Sequence, residues 1–308
     1  MQFVYGPVPS RRLGKSLGIS PIPPKTCNYS CIYCQLGRTN HMTNERAWYF
    51  PMESIMSEFE EVMRSNLSYD AVTVVGEGEP TLYAGLGRLI EDIRKKTTKP
   101  IAVITNGALL YEQKVREDLQ YADIVLPTMD AYNESSFRKI NRPHRELDFK
   151  EVQWGLEEFS RNYNGKLWVE IMLIRGFNDD DFSLKRYKEM LHKIHFDKIY
   201  LNTPVRPPAE ACARPVESDR MQYASKMLGA IAIDMLAQEG FQSEIGDDYE
   251  ALMSIIRRHP MNQFEIASFL EGRNTSDPQK ILDKMDNDDK IVCLKYRGYL
   301  TYRMKMGD

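Results

Sequence analysis

The sequence predicts an α/β fold: a mostly parallel sheet of six strands, followed by a small module of helices and a hairpin. Two observations carry this. Short continuous apolar runs alternate with segments of helical spacing through the first two-thirds of the 308 residues. After residue 246 the alternation stops. Three short helical patterns then precede two strand-like runs around Gly298.

The elements follow in order. LGISPIP (17–23) reads as a strand leading into a cysteine-bearing loop. MESIMSEFEEVMRSN (52–66) has helical spacing, and AVTVVG (71–76) is apolar throughout, as a parallel strand buried on both faces should be. YAGLGRLIEDIRKKT (83–97) is helical and ends in basic residues, which suit the negative end of a helix dipole. The alternation continues with strand IAVITNG (101–107), helix 111–120, strand ADIVLPTMD (122–130), helix 149–163, strand KLWVEIMLI (166–174), helix 183–194 and strand KIYLNTP (198–204). Crossovers between parallel strands are right-handed. An open sheet and an incomplete barrel both fit, and in either one ligands collect at the carboxyl ends of the strands.

VRPPAEACARP (205–215) reads as a connection, and 219–240 as one long, largely apolar helix packed on the sheet. This divides the chain into a sheet domain (1–215), a connecting helix region (216–246) and a C-terminal domain (247–308). Three helices plus a hairpin is the order of a winged helix-turn-helix. The candidate recognition helix runs over 276–285, with Ser276 as its cap and Pro278 in its first turn. Its charges nearly cancel, which is poor for neutralising phosphates. The wing is more basic, with Lys295, Arg297, Arg303 and Lys305. Three uses are open for this domain: docking a peptide or protein substrate, holding an RNA through the wing, or capping the sheet.

Composition narrows the function classes. A net charge of −3 gives no global basic field for nonspecific nucleic-acid binding. No run of 18 apolar residues suggests a membrane span, and MQFVYGPVPSRRLGKSLG lacks an apolar secretory core, so the expected compartment is the cytoplasm. Five cysteines, odd in number and unevenly spaced, do not form a disulfide framework.

Three of those cysteines lie in CNYSCIYC (27–34). Thiolates are soft ligands for zinc, copper(I) or iron–sulfur clusters. A structural zinc site needs a fourth ligand, and His41 is the nearest histidine. A cubane cluster normally takes four thiolates. Three leave one iron open, which makes such a site catalytic. Cys212 reads as a free thiol and Cys293 as a core residue of a wing strand.

Cys27-x3-Cys31-x-Tyr33-Cys34 resembles the signature of the radical S-adenosylmethionine (SAM) superfamily. GPVPSRRLGKSLGISPIPPKTCNYSCIYCQLGRT, GEGEPTL, ITNG, LPTMDA, INRPH, VEIML and LNTPVRPP are similar to its iron–sulfur oxidoreductase branch, grouped with the wyosine-forming tRNA enzymes. The resemblance covers about residues 1–215. It implies a partial (β/α)6 TIM-like barrel carrying one [4Fe-4S] cluster on Cys27, Cys31 and Cys34, with SAM on the open iron. One electron from a reductant such as flavodoxin or ferredoxin would cleave SAM to methionine and a 5′-deoxyadenosyl radical, which takes hydrogen from the substrate. GEGEP (76–80) resembles the motif that binds the methionyl amino group, with Gly78 and Glu79 matching and Glu77 standing where the family has glycine. By the same resemblance Tyr33, Thr105, Asp130 and Glu170 contact SAM, and Asn202 lies near the site. Arg142, His144 and Arg145 of INRPHREL, like Arg11 and Arg12, read either as solvated charges or as contacts to an anionic substrate such as RNA. Two other functions stand beside this one: an iron–sulfur redox sensor acting on DNA, and an activase that places a glycyl radical on a partner protein. The substrate expectation is a peptide, protein or tRNA.

Overall fold

The structure, a computed structural model, describes residues 1–65, 67–233 and 240–305. Its first strands, β1 (Val4–Ser10) and β2 (Gly14–Ile19), form an antiparallel hairpin. Two short parallel strands, β3 (Thr26–Cys27) and β4 (His41–Met42), close the base of the cysteine loop. There follow α1 (Met52–Met63), β5 (Ala71–Val74), α2 (Leu86–Arg94), β6 (Ile101–Thr105), α3 (Gln113–Leu119) and β7 (Ile124–Pro127). Next come α4 (Glu134–Ile140), α5 (Phe149–Asn162), β8 (Lys166–Met172), α6 (Asp181–Leu191), β9 (Lys198–Asn202), α7 (Ser218–Leu228) and β10 (Ile231–Ala232).

The main sheet has the order β1-β2-β5-β6-β7-β8-β9-β10, and every pairing except β1–β2 is parallel. All six expected strands are present in chain order. Adjacent residues on a strand point to opposite faces, and here both faces are dry. Val72, Val103 and Val125 pack under the helices with Phe59, Leu89 and Tyr187. Their neighbours Ala71, Ala102 and Ile124 face a second cluster with Trp168, Tyr200 and Leu13. Leu13 belongs to the β1–β2 turn, so the hairpin tip covers this second face. Arg11 donates to the Ile233 carbonyl (2.6 Å) and Arg12 pairs with Glu170 from the same tip.

Two differences from expectation bear on the main sheet. The helix expected over 219–240 ends at Leu228, where Gly229 takes a left-handed conformation (φ 63°) and caps it. The chain then re-enters the sheet as β10, parallel to β9. Residues 234–239 of the expected helix lie outside the described residues. The second difference is β1, which lies ahead of the expected first strand. Pro7 and Pro9 cannot donate to a ladder, so the strand sits at the edge, with a bulge between Tyr5 and Val8.

The C-terminal region consists of α8 (Asp248–Ile256), β11 (Met261–Asn262), α9 (Gln263–Gly272), α10 (Pro278–Asp286), β12 (Ile291–Tyr296) and β13 (Tyr299–Met304). The three strands form a small antiparallel sheet in the order β11-β13-β12 over a core of Leu252, Ile255, Ile266, Phe269, Met285 and Tyr302. Asp277, rather than Ser276, caps α10 by accepting from Lys280 N. Cys293 is exposed, not core, although Ile291 on the same face of β12 and its cross-strand partner Tyr302 are buried.

This region is fixed to the main sheet by buried arginines. Arg206, in the connection after β9, reaches Glu265 of α9 with two nitrogens (3.0 and 2.9 Å) and also contacts the Pro260 carbonyl. Arg258, after α8, lies over the Tyr5 ring and pairs with Glu77 (3.2 Å). Tyr296 donates to the Pro204 carbonyl (2.6 Å), and Arg303 to the carbonyls of Pro207 and Pro208. Arg303, expected as a basic wing residue, is therefore turned toward the connection. Cys212, in that connection, is exposed.

Candidate active site

The cysteine loop is held by the residues between its thiols. Tyr29 is buried and packs edge-on against Phe137 of α4, and Ile32 is buried against Ile140, Ile174 and Ala213. The loop backbone pairs with the segment after α4: Ser30 N donates to the Asn141 carbonyl (3.0 Å), Ile32 N to the Ile140 carbonyl (2.9 Å), and His144 N to the Asn28 carbonyl (2.7 Å). Residues 140–144 therefore brace the loop. Arg142 leaves this segment to pair with Glu210 of the connection (2.6 Å), where Arg38 also binds (2.8 Å). Arg145 is exposed, and His144 lies 3.6 Å from Glu146.

The three thiols are close enough to act on each other. Burial raises the pKa of Cys27, Cys31 and Cys34, and neighbouring thiols raise Cys27 and Cys31 further. Metal binding must therefore release protons here. Two amides point at sulfur: Asn106 Nδ2 lies 3.6 Å from Cys27 Sγ, and Asn141 Nδ2 lies 3.6 Å from Cys31 Sγ. His41 is exposed on β4, and among the described residues no three His, Cys, Asp or Glu side chains close on a single metal ion. Sulfurs on three corners of a cubane stand further apart than ligands of one ion. The donor set of one short loop, three soft thiols with amide N–H groups directed at them, fits a cluster.

The GEGEP turn follows β5 and touches the loop directly. Lys25 N donates to the Glu77 carbonyl (2.6 Å) and Glu79 N to the Thr26 carbonyl (3.0 Å). A Cβ on Gly78 would lie 1.8 Å from the Thr26 carbonyl oxygen, so only glycine permits this approach. Glu79 is buried, with no ion-pair partner among the described residues. Its Oε1 accepts from Thr81 N (3.0 Å), Thr81 Oγ1 (2.7 Å) and Thr105 Oγ1 (2.6 Å), and its Oε2 accepts from Asn106 N (2.7 Å). Burial raises its pKa, while these donors pull it down.

Asp130 sits past β7. It accepts from the Tyr33 hydroxyl, from Asn141 Nδ2 (3.1 Å) and from Met172 N (2.8 Å). Burial raises its carboxyl to about 6, against the pull of those donors. Tyr33 thus ties the cysteine loop to the strand ends. Glu170 lies apart from this group: it pairs with Arg12, and Asn202 Nδ2 stands 3.4 Å from its Oε1.

The structure gathers Cys27, Cys31, Cys34, Tyr33, Gly78, Glu79, Thr105 and Asp130 at the carboxyl end of the sheet, with Glu170 paired with Arg12 apart from them and Asn202 beside it. Asn141 is the residue that sequence reading missed. It is buried, and it links Cys31 to Asp130. Its signal was its place in the INRPH stretch, just before Arg142 and Pro143.

Residues 22–184 match the family model of the radical SAM superfamily. The chain belongs to this superfamily, whose cofactors are a [4Fe-4S] cluster and SAM. A UPF0026 protein of Methanocaldococcus jannaschii is 37% identical over 98% of this chain and 96% of its own length. A protein of Brachyspira hyodysenteriae named GTPase Obg is 36% identical over 98% of this chain, which spans only 45% of that relative. The structure of TYW1 with a lysine-pyruvate adduct bound has the same fold over 69% of this chain and 72% of its own, with a TM-score of 0.52 and 20% sequence identity. Among the described residues no helix is long and apolar enough to cross a membrane.

Proposed function

We propose that this chain is a radical SAM enzyme acting through a single cluster held by Cys27, Cys31 and Cys34. When bound and reduced by one electron, the cluster and SAM supply a 5′-deoxyadenosyl radical that takes hydrogen from substrate. The observation that carries the reading is Glu79: a buried carboxylate beside the three-thiol loop, accepting only from neutral donors. This carboxylate has no ion-pair partner among the described residues, so an incoming cation can pair with it, and the methionyl ammonium of SAM is one. Thr105, Thr81 and Asn106 aim it. Tyr33 and Asp130 fix the far side of the loop, and Asn106 and Asn141 direct amides at two of the sulfurs.

We read the main sheet as a partial (β/α)6 barrel over residues 1–215 and the C-terminal region, 247–308, as a winged helix-turn-helix joined through 216–246. The motifs GEGEPTL and LNTPVRPP support the branch that includes the wyosine-forming tRNA enzymes. Of the three uses open to the winged region, capping the barrel is favoured by Arg206, which reaches from the connection to Glu265 of that region, and by Arg258 and Arg303 of that region, which face the barrel and its connection. An external flavodoxin or ferredoxin would supply the electron, in a cytoplasmic setting. The test is anaerobic incubation of the cluster-loaded chain with SAM and dithionite. Formation of 5′-deoxyadenosine and methionine is expected. Intact SAM, with a full complement of iron and sulfide on the protein, would sink the reading.

A further inference from the structure

A cavity of about 600 Å3 lies where three parts of the chain meet. This is the size of a small-molecule site. The cysteine loop contributes Lys25, Gln35 and Leu36, the GEGEP turn contributes Glu77, and the C-terminal region contributes Arg257, Arg258 and Arg303. The two residues that follow Cys34 thus form part of its wall.

Its charge is lopsided. Four cations face one carboxylate, and that carboxylate is already paired with Arg258. Lys25, Arg257 and Arg303 make no close ion pair with a carboxylate among the described residues, and Arg257 shares with Arg258 the field of Glu77. Arg303 meets only the neutral carbonyls of Pro207 and Pro208. Arg258 and Arg303 each bury an Nε with no hydrogen-bond partner, and the Arg258 side chain is only 5% exposed. A buried guanidinium N–H left unpaired carries a desolvation cost that a bound acceptor removes. The remaining wall carries an apolar stretch, with Ile22, Phe50 and Ile256, beside the neutral polar Gln2 and Ser20.

We propose that this cavity binds a small organic anion, a phosphate or carboxylate carried on an apolar body. The cations take the charged head, and the apolar wall takes the body. The site is separate from Glu79, which faces a different set of partners, and binding there requires no turnover. Failure of the proposal would therefore leave the radical reading standing, and the converse also holds.

The test is calorimetric titration of the cluster-loaded full chain with phenyl phosphate, with phenylacetate, and with benzyl alcohol as the neutral analogue. At least one anion should bind tenfold more tightly than the alcohol, and the stronger of the two assigns the head group. Lys25→Gln and Arg303→Gln should each weaken that anion about tenfold. Lys25 makes none of the ion pairs that fix the C-terminal region, so its variant keeps the test valid where Arg303→Gln perturbs docking. In a crystal soaked with 4-bromophenyl phosphate, the bromine anomalous peak should fall in this cavity. Equal binding of all three probes, anion binding indifferent to both substitutions, or a bromine peak only elsewhere would overturn the assignment.

Discussion

Glu77 and Glu79 stand two residues apart in one turn, and they meet opposite surroundings. Glu77 points toward the C-terminal region, where Arg258 balances its charge. Glu79 points toward the strand ends, where four donors orient it and none is a cation. Burial raises both pKa values, but only Glu77 has arginines, Arg258 and Arg257, pulling it back. The difference separates a carboxylate used to lock two regions together from one kept ready for a cationic ligand. It also accounts for the departure from the family motif at Glu77, since the partner there is a residue of this chain's own C-terminal region.

The largest effect should come from the loop both carboxylates flank. Cys31→Ala removes one of three thiol ligands, and we expect loss of cluster iron and sulfide together with loss of 5′-deoxyadenosine formation. Full metal content in this variant would refute the site. The second effect tests the locking half of the comparison. Arg258→Met leaves Glu77 buried without its partner, which costs about 3–5 kcal/mol, read by denaturant unfolding. Glu77→Gln combined with Arg258→Met should recover most of that loss, because no uncompensated charge stays buried. If the double variant is as unstable as the single one, the pair is not what locks the regions.

These contacts also mark where the sequence stops being informative. The six parallel strands were readable because burial on both faces writes a continuous apolar run, as in Ala71–Val74. The thiol loop was readable because ligand spacing is local. β1 was not, since Pro7 and Pro9 in VYGPVPS argue against a strand until an edge position is known. The false long helix over 219–240 came from treating Gly229 as tolerated inside an apolar pattern, when its left-handed conformation ends the helix. Asn141, Arg206 and Arg258 were opaque for a common reason. Each works through a partner at least 11 residues distant, Asp130, Glu265 and Glu77 respectively, and a solvated side chain would look the same in sequence.

A third effect concerns the floor of the site, where Asp130 meets Tyr33. Its folded carboxyl holds a proton up to about pH 6, whereas the ordinary value is 3.8. The folded state therefore binds more protons between those limits. The added stability is present below about pH 4 and is lost as pH rises through about 6. The window spans about two pH units, or about 3 kcal/mol. Asp130→Asn should flatten the fall in unfolding free energy of the metal-free chain between pH 4 and 7. An unchanged slope would mean that other groups carry it.

The smallest effect is the most discriminating. Glu79→Gln keeps the shape of the side chain and, through Oε1, its hydrogen bonds from Thr81 and Thr105, and removes the charge together with the acceptor for Asn106 N. A hydrogen bond to a charged group contributes about 1.5–3 kcal/mol, so SAM should bind the cluster-loaded variant about 10- to 100-fold more weakly by calorimetry. Glu77→Gln, two residues away, should leave SAM affinity within about twofold, because its charge is balanced by Arg258 and faces the other way. Equal weakening by both substitutions would mean that the turn acts as one electrostatic unit and that the two carboxylates have no separate roles. Weakening by Glu77→Gln alone would move the ammonium contact to the side of the turn that faces the C-terminal region.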